Sequence, residues 1–478
     1  MSVLIAVGVI AYSNSFDVPF VFDDLSNIRD NPHVRVTQLD LQQLVDVARR
    51  SPSRRRPVSN VSFALNYYVG GYNVWGYHLV NLCVHLICGV LVYLLGLVTF
   101  ERVPPPQEHR PPERAWSSST PWVALAAALI FLSHPIQTQA VTYIVQRMAS
   151  LATLFYLAAL LLYIYGRTAT TTGQRWSWWV GSLASWLVAL GCKEIAATLP
   201  LAVLLYEWYF FQDLDRGWLK RCSIYVGSVF AVLLIIVIAS QGRNLWDWLD
   251  SRYSHRDFTI AERVLTQFRV VLYYLSLTVW PLPSRLCLTH NIAISHSLFD
   301  PITTLFSLLA LLGLLALAVL TARRYRIVSF AILWVFLHLA IESSVIPLEL
   351  VYEHRMYLPM VGISFLTAWG LFTLMPEGHR PMIVTAVLVL SLTMATHFRN
   401  SVWQDPQTLW AAVVAKYPEA VRALYNLGNA LQRQGKTEGA IEQFHRALQI
   451  KPDYADAHYN LGLALQGQGK IVEAIEHY

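Results

Sequence analysis

Two adjacent carboxylates, Asp23 and Asp24, close the stretch Phe20-Val21-Phe22-Asp23-Asp24 just beyond a short apolar run. A carboxylate held at a membrane surface can take the proton of a hydroxyl as that hydroxyl attacks. Neighbouring carboxylates disfavour joint ionisation, which raises one pKa toward a useful value. Adjacent loop residues point in different directions, so one acid is expected to be chemical and the other structural. Ordinary solvated loop charge is the plain alternative for both.

A second group lies inside an apolar segment that opens Gly76-Tyr77-His78-Leu79-Val80-Asn81 and continues to His85. Positions 78, 81 and 85 are three and four residues apart, which puts them on one helix face. A polar stripe within a membrane marks a site by default, and hydrogen bonding between helices is the competing use. No third or fourth ligand lies near enough in sequence to make a metal site, and none is expected.

Cations recur where apolar segments end. His134-Pro135 closes one segment, and Arg147 opens the next. Lys193-Glu194 sits at a junction, and Glu353-His354-Arg355 precedes Tyr357-Leu358-Pro359. Gathered at one level of a membrane, such groups suit a phosphate carried on a lipid, because charge-assisted bonds to phosphate are strong and geometrically specific. Alone, each reads as an interfacial anchor. Arg243, Arg252, Arg256, Arg263, Arg285 and His290 make a basic loop in which no spacing singles out one member.

The elements that must position these groups follow from composition. The chain has 478 residues, 55% hydrophobic and 14% charged, against about 25% charged in soluble domains. Apolar blocks at 1–15, 77–100, 121–133, 148–166, 176–192, 195–211, 223–240, 302–321, 327–347, 357–375 and 382–397 approach the roughly 20 residues that a spanning helix needs. About eleven transmembrane helices are therefore expected, the first shortened at its start. The 16 Trp and 24 Tyr suit the two membrane interfaces. With a cytoplasmic start, the short inner loops collect Arg102, Arg110, Arg114, Arg167, Arg175, Arg216, Lys220, Arg221 and Arg323, Arg324, Arg326, as the positive-inside rule asks. The long loops 16–76 and 241–301 then lie outside. Residues 264–280 carry Gln267 and Arg269, and an Arg at the bilayer centre costs on the order of 3 kcal/mol. They are read as an outer-surface or re-entrant helix. The net charge of +6 is modest, and no nucleic-acid partner is expected. Five cysteines lack metal or disulfide spacing and read as isolated core thiols.

After Thr396 the composition changes. Residues 421–454 and 455–478 repeat with a period of 34: Leu427-Gly428 recurs as Leu461-Gly462, Leu431 as Leu465, Ala440 as Ala474, and Phe444 as Tyr478. This is the tetratricopeptide pattern. Residues 405–420 read as a preceding half-repeat. Stable arrays need about three repeats, so this one is expected to continue further or to lean on another surface. The expected architecture is all-α: a membrane bundle over 1–397 and a repeat domain over 398–478.

The blocks FVFDDLSNIRDNPHV (20–34), RRPVSNVSFALNYYVGGYNVWGYHLVNLCVH (55–85), SHPIQTQAVTYIVQRMASLATLFY (133–156), CKEIAATLPLAVLLYEW (192–208) and YEHRMYLP (352–359), with the repeats behind them, resemble the transmembrane and tetratricopeptide repeat-containing O-mannosyltransferase-like family. The wording is closer to its bacterial members. The resemblance implies a GT-C glycosyltransferase fold in a multi-pass membrane protein of the bacterial inner membrane, or of the endoplasmic reticulum in a eukaryote. Site and repeats would face the periplasm or lumen. It implies inverting transfer of a sugar, mannose in the eukaryotic relatives, from a polyprenyl or dolichyl phosphate to Ser or Thr of an exported polypeptide, without a cofactor. Carried over, the base falls on Asp23 or Asp24, with Asp24 preferred. Arg147, Lys193 and Arg355 would meet the donor phosphate, and His78, Asn81 and Glu194 would shape the sugar pocket. The repeat groove would hold the acceptor polypeptide. Asn291 stands where close relatives are expected to carry an acid. The competing functions are a non-enzymatic membrane scaffold, for which both aspartates are dispensable, and a carrier of lipid-linked sugar, which would place its polar groups near mid-membrane.

Overall fold

The computed structural model describes residues 1–103, 113–224, 227–228, 251–254, 256–375 and 378–478. The described residues are helical, without strands. In chain order the helices used below are α1 (Ser2–Tyr12), α2 (Leu41–Arg50), α3 (Pro57–Gly70), α4 (Val74–Phe100), α5 (Glu113–Ser133), α6 (Arg147–Thr168), α7 (Thr172–Leu190), α8 (Leu199–Phe210), α9 (Ile260–Val279), α10 (Thr303–Thr321), α11 (Arg326–Leu339), α12 (Pro359–Leu374), α13 (Arg380–Ser401), α14 (Pro406–Lys416), α15 (Val421–Arg433), α16 (Thr437–Ile450), α17 (Ala455–Gly467) and α18 (Ile471–His477).

Among the described residues, α4, α10, α13 and the helix Ile144–Thr168 are long and apolar enough to cross a membrane. A fifth span is broken: Ser119–Ser133 and Pro135–Val141 meet at 50°. The break falls at His134-Pro135, where proline cannot donate to the preceding turn and the His134 ring caps the amide of Ile136. Helices α1, α11 and α12 are apolar but shorter. The protein is thus a multi-pass membrane protein. The expected span 223–240 lies almost wholly outside the described residues.

Lipid offers no hydrophobic drive between helices, so close packing takes its place. A Cβ at Gly89 of α4 would sit 2.6 Å from the Leu132 side chain of α5, so only glycine lets those two backbones approach. Helix α9 covers the 264–280 stretch. Its Arg263 is fully buried and donates to the carbonyls of Ser344, Glu342 and Leu348. These bonds tie the irregular segment after α11 against α9.

The repeat pattern has a packing cause. A Cβ at Gly428 would lie 2.5 Å from the Phe444 ring. Gly462 stands in the same way over Tyr478, at 2.9 Å. Asn460 then stitches one repeat to the next through Tyr425 and Asn429, both at 2.9 Å. The repeats do lean on another surface. Trp403, Trp410, Leu409, Val413, Leu424 and Leu427 share one core with Val21, Phe63, Tyr143 and Cys287. The helix before them, α13, runs on to Ser401, past the expected boundary at 397.

Candidate active site

The acidic pair sits on a turn that sends its two side chains apart. Phe22 has φ 48°, a left-handed conformation unfavourable for a bulky residue. Its ring packs edge-on to Trp410 of α14, 5.5 Å between centroids. Beyond this turn Asp24 points inward and is wholly buried. One of its oxygens accepts the Val21 N–H (3.0 Å), the other the Val145 N–H (2.7 Å). Burial pushes its carboxyl well above the ordinary carboxylate range against those two bonds. Asp24 is thereby a clasp between the first loop and the start of α6, with no free oxygen to offer. Asp23 points the other way, into a cavity of about 580 Å3. Its backbone N–H donates to the Tyr143 hydroxyl at 2.8 Å. Burial raises its carboxyl above the usual value, while Tyr143, Arg422 and Arg56 pull it back. The geometry separates the pair: Asp24, the preferred base in the sequence reading, is committed to two backbone N–H groups, and Asp23 lines the cavity.

The cavity is ionic. Arg55, Arg56, Lys193, Arg256, Arg355 and Arg422 line it, together with Asp23, Glu194, Glu342 and Glu349. The excess is cationic. The start of α3 docks on the 191–192 junction, with the Val58 N–H on the Gly191 carbonyl (2.9 Å) and the Ser59 hydroxyl on that of Cys192 (3.2 Å). This brings Arg56 to Glu194 at 3.1 Å. Lys193 and Glu342 form a buried pair at 2.8 Å. Burial favours the neutral acid, but Lys193 and Arg355 outweigh it and hold the Glu342 carboxyl below its ordinary value. Glu349 takes Arg256 of the 241–301 loop (2.6 Å) and Arg422 of α15 (3.2 Å). Arg355 donates to the carbonyls of Leu350 and Glu349 and leaves its Nε buried without a partner. An unmet buried guanidinium N–H beside other cations is a place where an anion oxygen would be stabilised.

Of the residues singled out in the sequence, Asp23, Lys193, Glu194 and Arg355 meet in this cavity. Arg147, Asn81 and His78 do not line it. The Arg147 guanidinium is fully buried and spent on Asn81 Oδ1 (2.5 Å) and the carbonyls of Tyr77 (3.0 Å) and Ser62 (3.2 Å), over the Phe63 ring. Asn81 also donates to the Val141 carbonyl, and His78 bonds that of Val18. His85 joins Tyr357 and the Leu132 carbonyl. The stripe shares one buried face, as its spacing predicts, and works as glue between helices. His134 bonds the Thr278 carbonyl at 3.1 Å.

Sequence reading missed Arg56, Glu342, Glu349, Tyr352 and Arg422. Glu342 carried a signal, an acid at the end of an apolar span. Glu349 and Arg422 carried none, because their meaning depends on the repeat touching residues 349–352 and the 241–301 loop. It also missed a cluster of metal-ligating types. Cys287, His290 and Glu353 bring one ligand atom each within 4.8 Å of one another. These atoms are engaged: His290 Nε2 is 2.9 Å from Glu353 Oε1, its Nδ1 is 3.4 Å from Cys287 Sγ, and the Cys287 N–H donates to the same carboxylate oxygen. These bonds tie the 241–301 loop to the Glu353 turn through one carboxylate oxygen, and Glu353 Oε2 stays buried without a partner.

A helical membrane bundle that carries an ionic cavity beneath tetratricopeptide repeats is the class that fold and site define. The family model described as dolichyl-phosphate-mannose-protein mannosyltransferase matches residues 116–240, and the TPR repeat model matches residues 428–469. The chain is similar to Protein O-mannosyl-transferase Tmtc3 of Drosophila melanogaster, 27% identical over 93% of this chain and 54% of that protein. It is also similar to Protein O-mannosyl-transferase TMTC3 of Homo sapiens, 24% identical over 95% of this chain and 51% of that protein. Protein O-mannosyl-transferase TMTC4 of Homo sapiens is 25% identical over 92% of this chain and 64% of its own length. The chain therefore spans about half to two thirds of the curated relatives it matches. No solved structure matches it.

Proposed function

We propose that this protein is a membrane glycosyltransferase that moves a sugar, mannose by its likeness to the named relatives, from a polyprenyl or dolichyl phosphate to a hydroxyl of an exported polypeptide. The single observation behind the reading is the cavity that holds Asp23 opposite a surplus of arginine and lysine. Asp23 takes the acceptor proton as the hydroxyl oxygen attacks the anomeric carbon. The sugar–phosphate bond opens with inversion, and the phosphate leaves with the electron pair. A leaving phosphate needs donors aimed at its growing charge. Arg355, with its unpartnered Nε, and Arg56, on the Glu194 side, are the groups for that task. Lys193 is paired to Glu342 and sets the field around them. The chemistry runs on the non-cytoplasmic face of the bacterial inner membrane or the endoplasmic reticulum, the side to which the positive-inside pattern of the short loops assigns the long ones. It needs no metal or other cofactor.

The test is transfer from a radiolabelled polyprenyl-phosphate mannose to a Ser/Thr-rich peptide in membranes carrying the protein. Label reaching the peptide with wild type and not with Asp23→Asn supports the reading. Equal transfer by both removes Asp23 as base, and no transfer by wild type with any lipid-linked sugar sinks the enzyme.

A further inference from the structure

We infer that the acceptor polypeptide reaches the site through a second cavity, about 410 Å3, between the outer loop and the first full repeat. This rests on the transferase reading and adds the path of its second substrate. The second cavity is walled on one side by Phe258 and the irregular stretch from Thr289 to Ile294, and on the other by residues 419–423 of the repeat with Lys451 and Tyr454. It adjoins the donor cavity, and Glu349, Tyr352 and Arg422 line both. These three residues stand at the boundary between the two. Its centre is the Glu349 carboxylate, held by Arg256 and Arg422. Both arginines are about a quarter to a half exposed, and a partly solvated ion pair is weaker than a buried one. A chain segment can displace such a pair at small cost.

Charge separates the roles of the two spaces. The donor cavity has six cations against four acids. The second has Asp257, Glu349 and Glu419 against Arg422 and Lys451, with His290 at its wall. That near balance gives a lipid phosphate no advantage there. It suits an uncharged, extended segment rich in Ser and Thr, whose small side chains can pass the Tyr352 ring toward Asp23.

A photo-crosslinking amino acid at Asn291, which is exposed on the cavity wall, reads this contact without catalysis. The protein in detergent is mixed with a labelled Ser/Thr-rich peptide and irradiated, with a second probe at Val472, far along the repeats, as control. The expected result is labelled adduct at 291 and little at 472. Equal or greater adduct at 472 overturns the path. In parallel, Asn291→Trp fills the cavity. It is expected to lower kcat/KM for the peptide at least tenfold, through KM, while the KM for the lipid donor and the slow hydrolysis of donor by water stay within twofold. Unchanged peptide kinetics in Asn291→Trp sinks the path while leaving the transferase standing. Adduct at 291 with no transfer by wild type does the reverse.

Discussion

Replacing each acid of the pair by its amide should give opposite failures. In Asp24→Asn, the amide oxygen can keep one of the two backbone bonds, at 3.0 or 2.7 Å. The other charge-assisted bond is lost, at about 1.5–3 kcal/mol, and the amide NH2 faces a backbone N–H, leaving a buried donor unmet at about 1–3 kcal/mol. The sum, about 2.5–6 kcal/mol, is a large share of the 5–15 kcal/mol that holds a typical fold. Asp24→Asn should therefore melt well below wild type and yield little folded protein. The fraction that folds should keep its specific activity within a few-fold. Asp23→Asn leaves the backbone bond to Tyr143 intact and should melt within about 1 kcal/mol of wild type, as substitutions away from buried networks do. It forfeits a general base, worth about 10²–10⁴ in rate. The assay pairs a thermal melt of purified protein with peptide transfer per folded molecule. An Asp24→Asn protein that melts like wild type yet transfers nothing would refute the division of labour. So would Asp23→Asn transferring within threefold of wild type.

Three further outcomes follow from the geometry. Lys193→Met strands the buried Glu342 charge and should cost about 3–5 kcal/mol. Adding Glu342→Leu should restore most of the melting temperature, and no recovery in the double variant would mean the pair is not coupled. Burial opposes charge on His290, but its bonds to Cys287 and Glu353 carry its pKa up to about 9. A raised pKa stabilises fully below the unfolded value near 6.5 and is lost as pH rises through 9. The melting temperature should thus fall from pH 7 to 10 more steeply in wild type than in His290→Gln, and parallel curves would exclude it. Gly428→Val drives a branched side chain into the Phe444 ring and should destabilise by about 1–3 kcal/mol, read as earlier protease cleavage within the repeats.

Much of the architecture was legible because its causes are local. Apolar length announces spanning helices, and a 34-residue period with glycine under an aromatic ring announces the repeats. Half of the site was legible for the same reason: Lys193, Glu194 and Arg355 sit at the ends of apolar segments, and the ends meet. What the sequence did not show was the setting of each polar group inside the bundle. Arg147 and Asn81 look chemical in sequence, yet Arg147 is bound to Asn81 and to carbonyls within α3 and α4, and Asn81 to the Val141 carbonyl; which carbonyls come within reach leaves no mark in residue types. The choice between Asp23 and Asp24 needed the left-handed turn at Phe22. Arg422 needed the knowledge that a repeat helix lies against a loop more than seventy residues earlier.

That left-handed turn has a consequence for how the protein can be dissected. Its strain, of order 1–3 kcal/mol, is borne while the Phe22 ring is wedged against Trp410, and Asn400 anchors the same region to Thr142 and to the Ala11 carbonyl. The repeats are in this sense a buttress: they keep Asp23 aimed. Trimming the chain near residue 397 would remove the wedge along with the groove, so a dead truncated protein would say nothing about who carries the acceptor. Trp410→Ala, with every repeat in place, separates propping from carrying.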